Sequence, residues 1–418
     1  MIQTDDKKFA SYQTEYLDTL KKLMQESIAS NELHYFYNVI YSYLKPEQML
    51  NHKPEIIIMG TGIPEELIYA AGSKPFYILG GSQGAVNWSD DVVPRDTDPV
   101  SRSMLGFLLN ESFNLAEKAL IICPITCDSN RKMAWLLKSS GKNVVTVDIP
   151  PDKSDPLAGI KWTQEMKKLS KKISDHTKKR ITKKSLMAAT KQINKTRKLM
   201  AEFISLCEEL GPTFKGSTRM AVLNAYYYSS DPRAYSMHLK NLNLELIEKI
   251  RTQTTQSYVK PSVLLMGSPV FLPNYKIPFL VEDIGMHIEA TLDTTIQKIY
   301  SASKKEHQDI DIFTAVIFSQ LRYDCSTAYS KNEMLYQSAS WQIRKNKING
   351  VIFHVLKGQI EYDFELERLE KLFGEASIPV FRLETDYQYQ DVEQLRIRME
   401  AFMEMLTQNQ YRTNKAAV

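Results

Sequence analysis

The clearest indication of the fold comes from residues 118–128, which read Lys-Ala-Leu-Ile-Ile-Cys-Pro-Ile-Thr-Cys-Asp. Their apolar run is short and almost continuous, which is typical of a parallel strand covered by helices on both faces. Cys127 follows the run closely, so we expect its thiol at the carboxyl end of a buried strand. Open α/β sheets bind their ligands at that edge.

Seven further runs of the same kind fall, with this one, into two groups of four. The runs are 55–59, 74–79, 118–123 and 143–149, then 262–266, 287–292, 350–356 and 379–384. Helical segments such as 64–71 and 101–109 lie between them. The first strands of the two groups end alike, in Met59-Gly60-Thr61 and Met266-Gly267-Ser268. The pattern predicts an α/β protein with two Rossmann-like, doubly wound parallel-sheet domains and a crevice between them.

The length of 418 residues exceeds what one core normally serves, which also favours several domains. We predict an N-terminal helical segment at 1–50 and a first α/β domain at 51–160. A helical connecting region at 161–257 and a second α/β domain at 258–418 complete the chain.

Composition excludes several classes of protein. The hydrophobic fraction of 43% and the net charge of +4 are ordinary for a globular protein. No apolar run is long enough to cross a membrane, and the N-terminus lacks the apolar core of a secretory signal. Four cysteines in so long a chain are no disulfide framework. We therefore expect a cytoplasmic, reduced protein without a membrane partner.

A basic stretch at 167–198 holds thirteen Lys or Arg residues against one acid, Asp175. Thr182 is a candidate N-cap for a helix over 184–210. A solvated helix face is the preferred interpretation, and a surface for ligand phosphates or an acidic partner is the alternative. A nucleic-acid partner is not expected, because the stretch has almost no interleaved aromatic residues.

Cys123, Cys127 and Cys325 are candidate ligands of an iron–sulfur cluster with one iron left open. Four cysteines are the usual number, and zinc would favour CxxC spacing or histidine ligands. The CxxxC spacing by itself is a weak signal, so ordinary buried thiols remain the alternative. Cys207 falls in a helical run, and we expect it in the core.

Several motifs occur in colinear order over roughly residues 50–410. They are 62–72 (Gly-Ile-Pro-Glu-Glu-Leu-Ile-Tyr-Ala-Ala-Gly), Arg102-Ser103, 124–128, 349–365 and 378–402. Together they resemble the 2-hydroxyacyl-CoA dehydratase family, which also includes benzoyl-CoA reductase subunits and double-cubane cluster proteins.

The resemblance implies two Rossmann-like domains with a [4Fe–4S] cluster between them. It further implies a homologous second subunit and a separate ATP-hydrolysing iron–sulfur activator that supplies one low-potential electron. In the dehydratases this electron makes a ketyl radical of the acyl-CoA thioester. The radical expels the 2-hydroxyl group and acidifies the β-hydrogen, water is lost from the (R)-2-hydroxyacyl-CoA to give a 2-enoyl-CoA, and the electron returns.

The resemblance also assigns candidate site residues. Cys127 and Cys325 fall where the family keeps cluster ligands, whereas Asp96-Thr97-Asp98-Pro99 stands where many members carry a further cysteine. The third ligand is therefore Cys123 or Asp98, or the cluster is modified or absent. Glu65 and Gln359 are the candidate catalytic pocket residues, with helix capping as the alternative for Glu65.

Two other functions stay open beside a dehydratase. One is an ATP-dependent reductase subunit of the benzoyl-CoA reductase or double-cubane type. The other is a cluster-free paralogue that supports a catalytic partner, which the missing upstream cysteine motivates.

Overall fold

The structure, a computed structural model, describes residues 2–26, 30–45, 54–110, 115, 117–229, 231–252, 260–293 and 311–416. The chain begins with helices α1 (Ile2–Glu26) and α2 (Asn31–Leu44). Ser30 caps α2 through its side chain, which accepts a hydrogen bond from the Leu33 N–H. The described part of the helical segment predicted at 1–50 thus contains two helices.

The first sheet contains four parallel strands in the order β2-β1-β3-β4. They are β1 (Ile56–Met59), β2 (Pro75–Ile78), β3 (Leu120–Ile125) and β4 (Val144–Asp148). The helices of this part are α3 (Glu66–Ala70), α4 (Gln83–Asn87), α5 (Pro99–Leu109) and α6 (Asp128–Ser139). The strand order reverses between β1 and β3, as in a doubly wound fold.

In the described residues between the two sheets, the chain forms helices α7 (Ala158–Thr177), α8 (Lys183–Leu210), α9 (Gly216–Tyr228) and α10 (Pro232–Thr252). Thr182 caps α8 as predicted, and its hydroxyl accepts from the Ser185 N–H at 3.1 Å within a capping box. Every residue of α9 is buried. This helix contacts α2, β2 and β6, so it lies between the two sheets rather than on the surface.

The second sheet repeats the first, with the order β6-β5-β7-β8 and all neighbours parallel. Its strands are β5 (Ser262–Gly267), β6 (His287–Leu292), β7 (Gly350–Leu356) and β8 (Val380–Thr385). The helices are α11 (Lys276–Asp283), α12 (Ile312–Tyr323), α13 (Glu333–Lys345), α14 (Glu361–Glu375) and α15 (Val392–Ala416). The α/β class and the two parallel sheets predicted from the sequence are confirmed.

One hydrophobic core extends through both halves of the molecule. It contains Ile57 of β1 and Ile352 of β7 together with the inner faces of α8 and α9. A smaller cluster, which includes Phe353, covers the other face of the second sheet. The predicted boundaries at 50/51 and 257/258 lie outside the described residues, so the domain division remains a prediction. No helix in the described ranges is long and apolar enough to span a bilayer.

A buried ion cluster joins α8 to the first sheet. Arg197 of α8 donates to Glu66 at 2.8 Å and lies 3.6 Å from Glu65, and all three residues are less than 10% exposed. Glu65 also accepts hydrogen bonds from the hydroxyls of Tyr77 (2.8 Å) and Tyr226 (2.7 Å). Burial alone would lower the pKa of Arg197, but the two carboxylates raise it above its usual range. The guanidinium therefore stays charged and compensates the two acids.

We predict that Arg197→Met lowers the free energy of unfolding by about 3–5 kcal/mol, because it leaves buried carboxylates without a cation. The loss should be smaller at lower pH. Burial raises the pKa of Glu65, so this carboxyl becomes neutral as the pH falls and then no longer needs a cation. Denaturant unfolding at several pH values measures both effects. The control is Lys198→Met at the exposed neighbouring position, expected to change stability by no more than about 0.5 kcal/mol. Equal stability of the two variants would contradict the cluster's role.

The turn at Gly80-Gly81-Ser82 resembles a phosphate-binding loop only weakly in sequence. In the folded chain it binds the carboxylate of Glu15. Glu15 of α1 accepts from the Ser82 hydroxyl at 2.7 Å and from the Gly84 N–H at 3.0 Å. Burial raises the pKa of Glu15 to about 7, although these hydrogen bonds oppose the shift. The contact fixes α1 against the first sheet.

This raised pKa predicts a specific pH dependence of stability. The folded chain holds the Glu15 proton more tightly than the unfolded chain, so its contribution is greatest below pH 4.5 and decreases as the pH rises to about 7. Glu15→Gln should remove this decrease. The stability of the variant relative to wild type should therefore rise by up to about 3 kcal/mol between pH 5 and pH 8. A difference that stays constant between pH 5 and pH 8 would show that the Glu15 carboxyl is not perturbed. Glu367→Gln, at an exposed position, is the control variant.

Candidate functional site at the facing sheet edges

The carboxyl ends of the two sheets face each other, and a cavity lies between them. The loop after β1 supplies Gly60–Gly62, and the end of β3 with the loop after it supplies Pro124, Thr126 and Cys127. The loops after β5 and β7 supply Pro269 and Gln359. In each sheet these loops flank the reversal of strand order. The cavity therefore lies where ligands are expected in both doubly wound sheets at once.

Two close approaches set the width of this cavity. A Cβ atom added to Gly62 would lie 2.5 Å from Cβ of Pro124, so the loops after β1 and β3 touch. Gly358, at φ +84°, lies so near the loop before α5 that an added Cβ would be 2.9 Å from the Asp96 carbonyl oxygen. Only glycine combines that backbone conformation with that space.

Asp98 connects the two halves directly. Its Oδ1 accepts from the Ser101 N–H at 2.9 Å, which caps α5, and from Nε2 of Gln359 at 3.3 Å. Asp98 and Gln359 are 3% and 9% exposed. The carboxylate thus belongs to the structure of the site and holds the loop after β7 against the start of α5.

The cavity has a volume of about 100 Å³ and a mixed polar and apolar lining. Its lining residues are Met59, Gly60, Thr61, Gly62, Asp98, Val100, Ser101, Met104, Pro124, Thr126, Cys127, Asn130, Pro269, Phe271, Asp324, Ser326, Thr327, Gln359, Glu361 and Tyr362. The predicted site residues Cys127 and Gln359 are among them, and Glu65, Cys123 and Cys325 are not.

Cys127 lies at the cavity as the residue that precedes α6. Its backbone is extended and its side chain is half-buried. Burial and the neighbouring Asp98 carboxylate raise its pKa to about 12, while the Asn130 and Ser129 N–H groups act in the opposite direction. The thiol is therefore protonated at neutral pH in the chain alone.

Cys325 and Cys123 occupy different environments. Cys325 is 2% exposed and packs in the smaller hydrophobic cluster, although its neighbours Asp324 and Ser326 line the cavity. Cys123 is part of β3 and is fully buried, with Sγ 3.5 Å from the Asn130 carbonyl oxygen. Burial and Cys127 raise the pKa of Cys123 to about 12. Cys207 is on α8 and its side chain lies in the hydrophobic core, as predicted.

The candidate ligands Cys123, Cys127 and Cys325 do not form a binding site for an iron–sulfur cluster in this structure. Within the described ranges, no three His, Cys, Asp or Glu side chains converge as a metal site. A cluster between these loops would require Cys325 to leave the apolar cluster and Cys127 to lose its proton.

Glu65 lies in the ion cluster with Arg197 rather than at the cavity, which agrees with a structural role for this residue. Gln359 lies at the cavity, and its Oε1 is buried without a hydrogen-bond partner. Asn130 also lines the cavity, is 7% exposed, and has an Oδ1 atom without a hydrogen-bond partner. This residue was not identified from the sequence. Both oxygens are closed off from the cavity in this structure, so a ligand that donates hydrogen bonds would satisfy them once these side chains turn toward it.

The basic stretch lies away from this site. Twelve of its thirteen cations are exposed on α7, α8 and the turn between them, and Arg197 is the buried exception. The turn contacts the amino-terminal edge of the first sheet, where Nε2 of His176 is 3.0 Å from the Glu55 carbonyl oxygen and Nζ of Lys179 is 3.5 Å from that of Gly72. The cavity is at the opposite edge, about 13 Å away for a strand of four residues. This placement agrees with a solvated helix face.

Sequence comparison finds known proteins that are similar to most of this chain. Over 360 residues the chain is 24% identical to the beta subunit of (R)-2-hydroxyglutaryl-CoA dehydratase from Acidaminococcus fermentans, covering 82% of the chain and 90% of that protein. It is 23% identical over 349 residues to the (R)-phenyllactyl-CoA dehydratase beta subunit of Clostridium sporogenes, covering 82% and 89%. Identity to a benzoyl-CoA reductase subunit of Thauera aromatica is 29% over 154 residues, 36% of this chain and 39% of that one.

The profile of the 2-hydroxyglutaryl-CoA dehydratase D-component family matches residues 61–406, which include strands β2 to β8 and all the cavity-lining residues except Met59 and Gly60. The family resemblance inferred from the motifs is thereby confirmed. The chain belongs to the 2-hydroxyglutaryl-CoA dehydratase D-component family and is a subunit of a 2-hydroxyacyl-CoA dehydratase family enzyme.

Proposed function

We propose that this chain is one subunit of a cytoplasmic 2-hydroxyacyl-CoA dehydratase and that the cavity between the sheet edges takes the acyl end of the thioester. The reaction removes water from an (R)-2-hydroxyacyl-CoA and leaves a 2-enoyl-CoA. It is redox-neutral overall, so an electron supplied by an ATP-hydrolysing activator is returned in each turnover. The enzyme is completed by a homologous second subunit.

The observation that carries this proposal is the pair of unpaired amide oxygens at the cavity. A thioester carbonyl only accepts hydrogen bonds, whereas a 2-hydroxyl group also donates one. Oε1 of Gln359 and Oδ1 of Asn130 are acceptors without a donor. They therefore suit a 2-hydroxyacyl group better than the same acyl group without its hydroxyl.

The [4Fe–4S] cluster stays a prediction for this chain. Cys127 and Cys325 are its first candidate ligands, with Cys123 or Asp98 as the third. Because these donors do not converge, no step of the proposed reaction is assigned to a cluster on this subunit. The same observation favours a second candidate function, a cluster-free subunit that shapes the pocket while its partner carries the redox centre.

Partial similarity to the benzoyl-CoA reductase subunit supports a third candidate, an ATP-dependent reductase subunit. Electron stoichiometry separates this candidate from a dehydratase. A dehydratase needs reductant only in catalytic amounts, whereas a reductase consumes it in proportion to product.

The first test is ligand binding by the native complex, measured by calorimetry with (R)-lactoyl-CoA and with propionyl-CoA, which lacks the hydroxyl. We expect lactoyl-CoA to bind more tightly. Gln359→Leu should remove about tenfold of that preference, because it deletes one hydrogen-bond acceptor, whereas loss of its bond to Asp98 should weaken the binding of both thioesters alike. Gln388→Leu, at an exposed position, should retain the preference. Failure of both thioesters to bind would contradict the proposed function.

The second test is iron content after anaerobic purification and reconstitution. A bound cubane would give about four irons per chain. Cys127→Ser and Cys325→Ser should each lose iron, because a hard alkoxide replaces a soft thiolate. Cys207→Ser is the control and should keep it, and Cys123→Ser decides whether Cys123 is the third ligand.

Iron-free wild-type protein would refute the cluster and leave the cluster-free candidate. Loss of iron in Cys207→Ser with retention in Cys325→Ser would refute the ligand assignment.

A further inference from the structure

The charged side chains that line the cavity are all acidic. They are Asp98 from the first half of the molecule and Asp324 and Glu361 from the second, and none of the described lining residues is Lys, Arg or His. Asp98 and Asp324 are 3% and 5% exposed, and Glu361 is half-buried at the first position of α14. Carboxylates removed from water repel a further anion more strongly than surface carboxylates do. The cavity is therefore unfavourable for a negatively charged group.

Of these three acids, Glu361 has the least favourable surroundings for another anion. Asp324 has a cation nearby, because Lys153 donates to its carbonyl oxygen and lies within electrostatic reach of its carboxylate. Glu361 is instead surrounded by other acids. Burial, together with the carboxylates of Asp98 and Asp128, raises the pKa of Glu361. The local field at Glu361 is therefore negative, and a second anion placed beside it would be repelled.

The volume of the cavity limits the size of a bound acyl group. An engineered apolar cavity of about 150 Å³ holds one benzene molecule. At the same density, the volume of about 100 Å³ takes about four non-hydrogen atoms. A lactoyl or 2-hydroxybutyryl group has about that size beyond its thioester carbonyl. A group with a phenyl ring or a second carboxylate is larger than the space between the sheet edges.

We propose that this subunit restricts the enzyme to short, uncharged 2-hydroxyacyl groups and that Glu361 excludes acyl groups ending in a carboxylate. This inference rests on the proposed function, since it concerns the same cavity. A short neutral chain can place its apolar end against Met104 and Phe271, which are both 3% exposed. A 2-hydroxyglutaryl group would bring its second carboxylate beside Asp98 and Glu361 and would lose water without gaining a cation. The chain then differs in substrate from the enzyme after which its family is named.

The test is calorimetry of the native complex with the CoA thioesters of (R)-lactate, (R)-2-hydroxyglutarate and (R)-3-phenyllactate. All three carry the 2-hydroxyl group and differ only in the rest of the acyl chain. We expect lactoyl-CoA to bind at least about tenfold more tightly than either of the others. The 2-hydroxyglutaryl group is disfavoured by charge and size, and the phenyllactyl group by size alone.

Two pairs of variants separate charge from size. Glu361→Gln, which keeps the length of the side chain, should lower the ratio of the 2-hydroxyglutaryl-CoA to the lactoyl-CoA dissociation constant about tenfold. Its control is Glu370→Gln at an exposed position of the same helix, which should change this ratio by less than about twofold. Met104→Ala should lower the phenyllactyl-to-lactoyl ratio at least about threefold, because it enlarges the cavity. Met187→Ala, at an exposed position of α8, should not change that ratio.

Binding of 2-hydroxyglutaryl-CoA as tight as that of lactoyl-CoA would overturn the inference and leave the proposed function intact. An unchanged ratio in the Glu361→Gln complex would also overturn it. Because each ratio compares two thioesters on the same preparation, loss of folded protein in a variant does not alter the ratio. Failure of all three thioesters to bind would contradict the proposed function itself.

Discussion

The hydrogen bonds of Asp98 are the constraint on which the site depends. One oxygen of this buried carboxylate caps α5 in the first half of the molecule and accepts from Gln359 in the second. The contact is possible because Gly358 lets the loop after β7 approach the loop before α5. Without it, the two sheet edges would lose this direct hydrogen bond between their loops. The same carboxylate helps to raise the pKa of Cys127, so it influences both the shape and the chemistry of the pocket.

The two halves of the molecule contribute to this pocket in the same way. Each sheet reverses its strand order at the centre, and the two reversals face each other across the cavity. The fully buried helix α9 lies between the sheets, and the Arg197 cluster joins α8 to the first sheet. Rigid elements therefore hold both walls, which suits a site that must orient a small acyl group. The thiols, by contrast, lie apart: Cys127 is at the pocket, Cys123 in β3, Cys207 in the main core and Cys325 in the smaller apolar cluster. Binding of one cluster by several of them would require rearrangement or a partner.

Much of the fold could be predicted from the sequence, because buried parallel strands are short apolar runs with clear ends. All eight strands lie within two residues of their predicted positions, and Thr182 caps its helix as expected. The joint core was not predictable, since nothing in the apolar pattern of α9 indicates which sheets it will contact. The prediction of a helical segment at 1–50 gave no indication of where α1 ends and α2 begins.

The site was predictable only in part. The position of Cys127 after β3 and of Gln359 after β7 followed from the strand ends and the family motifs. Side-chain direction did not follow from them: Cys325 is next to cavity residues in sequence but packs into an apolar cluster. Glu65 begins a helix near the pocket, yet its carboxylate is bound by Arg197 and two tyrosines. Asn130 carried no motif, and its importance depends on an unpaired atom that only three-dimensional structure reveals.

If the facing sheet edges form the pocket for a 2-hydroxyacyl thioester, an experimental structure of the native complex with a bound 2-hydroxyacyl-CoA will show it. We expect density for the acyl group between Cys127 and Gln359, with its hydroxyl within about 3 Å of an amide oxygen of Gln359 or Asn130. An acyl group bound elsewhere, with this cavity filled only by water, would contradict it.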